Sequence, residues 1–287
     1  MTYENQIAQI RACCKELLEQ GKVDVVIGYA AGGLEGLMTP FFAHKPEDAG
    51  KLEWGDRCFH NLAAYVYGRK DRVGIVAKPC DVRAIVQYII EQQLKRESVY
   101  IIGVDCGGMV DAEGKARPGC GDCRVRIPPL SDTHITDERV AAQGEAAAAQ
   151  QAASEDLAYN LEKFQREIGK CILCYSCRQA CYGCYCNVCF MDRGNPNWLP
   201  SEVDNNTKMT FHLGRSMHLA GRCVECGGCE AACASGVNIR YIIKELTNFL
   251  EDNYDYRTGM DLEATSCMIA YADNDKEIGF LGGDSDE

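Results

Sequence analysis

The sequence predicts an α/β domain at the N-terminal end, a helical linker, and an α-helical domain organised by cysteine at the C-terminal end. Three observations predict this. Residues 73–104 alternate an apolar run, an amphipathic stretch and a second apolar run. Residues 141–170 are rich in Ala, Gln and Glu, which favours helix. Residues 171–233 hold 11 of the chain's 19 cysteines.

The chain has 287 residues and is 46% apolar, enough for two domains with a sizeable core. Its net charge is −12, and residues 251–287 carry 11 acids against Arg257 and Lys276, which leaves the remainder nearly balanced. No basic run or patch appears in the sequence, so nucleic acid and anionic membrane surfaces are not expected partners. The opening MTYENQIAQIRACCKELLEQG is polar where a signal peptide would be apolar, and no later stretch approaches the ~18 apolar residues of a membrane span. A cytoplasmic, unanchored protein is expected. In a reducing compartment, dense cysteines at short regular spacing point to metal thiolates rather than disulfides.

Residues 4–20 place Ile7, Ile10, Leu17 and Leu18 at helical spacing, closed by Gly21. Apolar runs at 23–28, 73–77 and 98–104 read as strands, and 82–95 reads as an amphipathic helix between the last two, so the order is βαβ. Residues 105–130 lose periodicity and gain Gly, Pro and Cys, as expected of chain wrapped around a metal centre. In 141–170 an apolar face emerges only at Leu157, Leu161 and Phe164. Helical period returns at 238–253. The domains expected are therefore 1–140, a linker at 141–170, 171–254, and an acidic tail at 255–287.

Cys171, Cys174, Cys177 and Cys181 have the spacing C-x2-C-x2-C-x3-C, and Cys223, Cys226, Cys229 and Cys233 repeat it. Three thiolates at this interval wrap three corners of a [4Fe-4S] cubane, and the fourth cysteine reaches the other cluster. On that crossed pattern Cys171, Cys174, Cys177 and Cys233 hold one cluster, and Cys223, Cys226, Cys229 and Cys181 hold the second. The repeat resembles the dicluster ferredoxin fold, except that Tyr182 and Ala234 stand where bacterial ferredoxins carry Pro. Two zinc sites are the competing interpretation of C-x2-C pairs, although zinc sites use paired rather than triplet spacing.

Cys184, Cys186 and Cys189 follow in CYGCYCNVC and belong to neither quartet. With one more thiolate, from Cys13, Cys14, Cys58 or Cys267, they would hold a fourth cluster; otherwise they are buried, inert thiols. A helix expected to run into the second quartet carries His212, Arg215, Met217, His218 and Leu219; His212 and His218 could tune or ligate a cluster, but are read as helix-surface or supporting groups because that quartet is already complete.

Nearer the N-terminus, Cys80 lies in KPCDVRAIVQYI, Cys106 in YIIGVDCGGM, and Cys120 and Cys123 in PGCGDCRVRIPPLSD. In an open α/β sheet such loops gather at the carboxyl ends of the strands, so the four thiolates can converge on a third [4Fe-4S] cluster. Lys78, Asp81 and Arg83 flank it. The turn YAAGGLEG at 29–36 offers Gly32 and Gly33 as backbone contacts for a cofactor phosphate, without the spacing of G-x-G-x-x-G.

Taken together, Pro79, Cys80, Ala84, Gly103, Cys106, Cys120, Cys123 and Asp132 resemble the motif of the beta subunits of coenzyme F420 hydrogenases and dehydrogenases, over residues 70–140. The resemblance implies a flavin and iron–sulfur protein, with FAD beside the clusters, that passes electrons between a catalytic oxidoreductase subunit and a two-electron or ferredoxin-type carrier. In the formate dehydrogenase version a dicluster ferredoxin segment is added, as here. No G-x-S-x-G, H-E-x-x-H or Walker motif and no nucleophile and base pair appears, so catalysis is expected on a partner subunit. The competing classes are an iron–sulfur redox sensor, for which no DNA-binding module is visible, and a zinc-built interaction protein.

Overall fold

The computed structural model describes residues 3–34, 36–141, 157–195 and 202–266. Its first half is built on a five-stranded sheet of order β2-β1-β3-β4-β5, with β1 Val25–Ala31, β2 Met38–Ala43, β3 Val73–Ala77, β4 Val99–Val104 and β5 Thr133–Ile135. β3 and β4 are parallel and joined by helix α2, Pro79–Ile90, giving the βαβ unit the sequence predicts. Parallel strands covered on both faces read as unbroken apolar runs, and all five residues of β3 are buried. Helix α1, Glu4–Glu19, buries Ile10, Cys14 and Leu17 on one face and packs across β1, β3 and β5.

Two strands escape the sequence reading. β2 pairs antiparallel with β1 at the sheet edge and is half-buried through most of its length, so it shows neither alternation nor a continuous apolar run. Its Pro40 has no N–H to give, which an edge strand tolerates. β5 has only three residues. Helix α2 also starts earlier than the expected 82–95: Pro79 occupies its first turn and the Asp81 carboxylate accepts the Lys78 backbone N–H at 2.9 Å. It ends at Ile90 because Gln92 turns into the left-handed region. Cys80 therefore sits in the first turn of a helix, not in a loop before one.

In the second half, α4 (Leu157–Gly169), α6 (Asn205–Leu219) and α8 (Arg240–Tyr254) pack together, with single-turn helices α5 (Ser176–Gln179) and α7 (Gly228–Ala231) after the cysteine triplets. The core here is small: Phe211, Leu219, Val237, Ile239 and Ile243, bordered by Cys177 and six half-buried cysteines. Phe164 and Ile168 of α4 are buried, and Lys208 of α6 donates to the Gly169 carbonyl at 3.0 Å. The C-terminal part of the expected linker thus packs with the cysteine-rich helices; residues 142–156 lie outside the described residues.

The halves are joined by polar and aromatic contacts. Tyr182, where a ferredoxin would carry Pro, is buried and its carbonyl accepts the Tyr88 hydroxyl of α2 at 2.6 Å. Arg222 reaches Glu91 at 2.7 Å, Arg240 and Lys244 reach Asp122 at 2.9 and 2.5 Å, and Arg124 pairs with Glu251. The expectation of a solvated tail from residue 255 needs correction for its first part. Tyr256, Thr258 and Ser266 are buried, because Arg83 of α2 donates to the Thr258 carbonyl at 2.9 Å and Tyr256 bonds Gln87 of the same helix. Among the described residues no helix is long and apolar enough to cross a membrane.

Candidate metal centres

The two C-terminal quartets fold as copies of one loop. Leu173 and Tyr175 follow Cys171 with φ of 54° and 59°, and Glu225 and Gly227 follow Cys223 at the same offsets with φ of 59° and 72°. Left-handed backbone costs about 1 kcal/mol or more at each non-glycine residue, so three such residues mark a loop shaped around something other than itself. Each loop turns a backbone N–H onto its first sulfur: Leu173 to Cys171 at 3.3 Å and Glu225 to Cys223 at 3.4 Å. Val237 does the same for Cys233 at 3.4 Å. These are backbone donors aimed at sulfur.

The thiols gather across the repeats as well as within them. Burial pushes Cys223 far above the usual thiol range, and Cys229, Cys181 and Cys226 push it further. Burial and then Cys181 raise Cys226 to about 11. Cys229 is raised to about 12 by burial, against Arg215 and with Cys181 and Cys226. The second triplet therefore faces Cys181 from the first repeat. Correspondingly, Cys171 is raised by burial and then by Cys233 and Cys174, against the Leu173 N–H, while Cys177 is raised by burial and by Cys171 and Cys233. Cys233 has crossed to the first triplet. Cys174 is exposed, and its sulfur is held low by hydrogen bonds from Ser176.

In the first half Cys80 and Cys106 hang from the carboxyl ends of the adjacent parallel strands β3 and β4, and the 118–126 loop brings Cys120 and Cys123 over them. The four line one cavity together with Lys78, Arg83, Arg124, Arg126 and Arg257. Burial raises Cys106 to about 12, with Cys120 and Cys123 adding to it and Lys78 opposing it. Lys78 is itself buried, held by Asp81 at 2.9 Å, the His60 carbonyl at 2.8 Å and the Tyr29 hydroxyl.

The first-half cavity is also lined by Cys226, and Cys80 is pushed up by burial, by Asp81 and by Cys226. What brings the two halves so close is a glycine contact. A Cβ on Gly227 would run into the Pro118 carbonyl, and one on Gly119 into the Glu225 carbonyl, so the loop carrying Cys120 lies backbone to backbone on the loop carrying Cys226. The sequence signals this only as glycine density in PGCGDC and CGGC.

Cys184, Cys186 and Cys189 line a separate cavity with Arg178, Arg215 and His218. Cys184 is hydrogen-bonded to Cys181, which keeps the Cys181 sulfur below the usual thiol range. Of the thiols considered as their fourth companion, Cys14 and Cys58 are buried in the sheet core, Cys13 lies on α1 near Thr133, and Cys267 is outside the described residues. His212 is buried and its basicity falls to about 4 through burial and the neighbouring Arg215, whereas His218 is exposed. Gly32 and Gly33 lie in the turn of the β1–β2 hairpin, with the Gly32 N–H spent on the Leu37 carbonyl at 2.6 Å, so the turn leads into a strand and not a helix N-terminus.

Deprotonation is opposed by burial and by neighbouring thiols at Cys80, Cys106, Cys171, Cys177, Cys223, Cys226 and Cys229, so the quartets fit a multiply charged cationic centre that supplies positive charge. A single tetrahedral zinc would draw sulfurs to about 3.8 Å of one another. Among the described residues, no three His, Cys, Asp or Glu side chains group closely enough to hold one metal ion.

No family model matches the chain. The beta subunit of the F420-dependent formate dehydrogenase of Methanocaldococcus jannaschii is 23% identical over 350 aligned residues, covering 88% of this chain and 91% of that protein. The beta subunit of F420-dependent formate dehydrogenase 1 of Methanococcus maripaludis is 32% identical over 105 residues, 35% of this chain and 27% of that protein. Among solved structures, the F420-reducing [NiFe] hydrogenase complex from Methanosarcina barkeri, as a xenon derivative, aligns at a TM-score of 0.31 and 17% identity, covering 39% of this chain and 44% of that one.

Proposed function

We propose that this chain, which is similar to the beta subunits of F420-dependent formate dehydrogenases, is the iron–sulfur electron-transfer subunit of a cytoplasmic, anaerobic oxidoreductase complex. It passes electrons between a catalytic subunit of the formate dehydrogenase or hydrogenase kind and a flavin or ferredoxin-type carrier. Three [4Fe-4S] centres are assigned: one to Cys80, Cys106, Cys120 and Cys123, one to Cys223, Cys226, Cys229 and Cys181, and one to Cys171, Cys174, Cys177 and Cys233. The last two form a dicluster ferredoxin-like domain. Such centres supply one-electron oxidation and reduction, with potentials set by hydrogen bonds, charge and burial.

The observation that carries this reading is that Cys80 and Cys226, from different halves, line one cavity and feel one another. The quartets are thus arranged in series: first-half quartet, then the Cys181 quartet, then the Cys233 quartet. At the far end the exposed Cys174 and its neighbour Ile172, 61% exposed, mark where a partner would meet the path. The chain's own residues hold and separate the centres, exclude water from them and balance their charge. Gly32 and Gly33, in a hairpin turn, build no phosphate cradle, so in this reading FAD belongs to the partner.

The test is electron flow through the assembled complex. Cys80→Ser or Cys123→Ser should abolish physiological turnover while leaving the partner's own dye-linked activity intact. Normal turnover in a Cys80→Ser complex shown to lack the first-half cluster would remove that cluster from the path.

A further inference from the structure

Arg215 lies buried among the thiols of the cysteine-rich half. It is 3% exposed at the centre of the cysteine-rich half, on α6. One Nη donates to the Cys177 carbonyl at 3.2 Å, no oxygen of the described residues accepts from its Nε or other Nη, and the Cys184 thiol lies beside the guanidinium. Its neighbours in the same half are neutralised: Arg178 by Asp192 at 2.9 Å, Arg222 by Glu91 at 2.7 Å and Arg240 by Asp122 at 2.9 Å. Among the described residues no carboxylate pairs with Arg215. The charges it feels are those of Cys181, Cys184, Cys229 and Cys177, which belong to both crossed quartets and to the extra trio. Burying an unpaired guanidinium costs several kcal/mol, a cost that persists in a fold only where negative charge offsets it.

We propose that Arg215 is a positioning residue for charge, shared by the two C-terminal centres, whose positive field raises the reduction potential of both together. This rests on the assignment of clusters to those quartets. Each one-electron reduction adds a negative charge between walls that exclude water, and a fixed cation near thiols of both quartets favours that added charge at either. The two potentials are thereby raised in common, which suits transfer between neighbours. Lys78 cannot play the same part in the first half with equal effect, because Asp81 at 2.9 Å already cancels much of its field.

The experiment uses the full chain purified anaerobically, with iron counted and each centre titrated by dithionite under electron paramagnetic resonance. In Arg215→Gln, iron content should be retained and the midpoint potentials of both C-terminal centres should fall. The first-half centre, identified by its loss in Cys80→Ser, should not move. Arg215→Lys should restore most of the fall. If Gln costs iron in the C-terminal half and Lys retains it, the role of charge is likewise supported. Unshifted potentials in an iron-replete Arg215→Gln protein would overturn the inference, as would equal losses in both variants. Wild-type protein without C-terminal clusters would instead overturn the functional reading beneath it.

Discussion

The two halves of the molecule solve the problem of cohesion differently. Around the sheet, Val25, Val26, Ile27, Ile75, Val76, Ile101 and Ile102 are each no more than 1% exposed, and the half would be recognisable as a folded domain from burial alone. In the cysteine-rich half five large hydrophobic side chains form the core, and half-buried thiols occupy the places where more of them would be expected. Their cations differ in the same way. Lys78 has a carboxylate, a carbonyl and a hydroxyl within reach, so its charge is settled by the polypeptide. Arg215 has no carboxylate partner among the described residues and faces thiols instead. The sheet half rests on an extensive apolar core, and the cysteine-rich half on a small one ringed by thiols.

The largest effect that sharpens this contrast is removal of iron. Chelation under reducing conditions should leave β1, β3 and β4 protected from hydrogen exchange while the amides of α6 and α8 lose protection, because metal binding there supplies folding free energy. Equal protection of α6 in apo and loaded protein would erase the distinction between the halves. Next comes Lys78→Met, which strands the Asp81 carboxylate in the sheet core and should cost about 3–5 kcal/mol in denaturant unfolding. A loss below 1 kcal/mol would mean that the network around Lys78 is not what the geometry indicates. Asp122→Ala, which frees Arg240 and Lys244 across the junction of the halves, should cost about 1–3 kcal/mol and separate two unfolding transitions that otherwise overlap. At the bottom of the scale, Gly33→Ala meets no atom within 4 Å and should change stability by less than about 0.5 kcal/mol. A drop in flavin content in that variant would reinstate the hairpin turn as a cofactor site.

What the sequence made legible divides along the same line. The strands at 73–77 and 98–104 are readable because a buried parallel strand announces itself as a β-branched run. β2 is not, since Pro40 and half-burial hide an edge strand held only by its pairing with β1. The cysteine repeats are readable because a cluster loop is a local object whose spacing is set by one cofactor. The approach of Gly119 to Gly227 is not, because the two lie more than a hundred residues apart and a missing side chain says nothing of which backbone will fill its place. Arg215 was visible as a residue of the helix entering the second quartet. Its burial was not, because His212, Met217 and His218 give that helix a mixed face, and only the fold shows that His212 and Arg215 turn inward while Met217 and His218 turn out.

The most direct test of a path running through both halves is the iron and sulfide content of the anaerobically reconstituted full chain, read beside its Cys80→Ser and Cys233→Ser variants. About 12 iron atoms per chain are expected, or about 16 if Cys184, Cys186 and Cys189 hold a further cluster, with negligible zinc. Cys80→Ser should lose the first-half cluster, and Cys233→Ser should damage the cluster of Cys171, Cys174 and Cys177. A protein that saturates at about 8 iron atoms, unchanged in Cys80→Ser, would contradict that path.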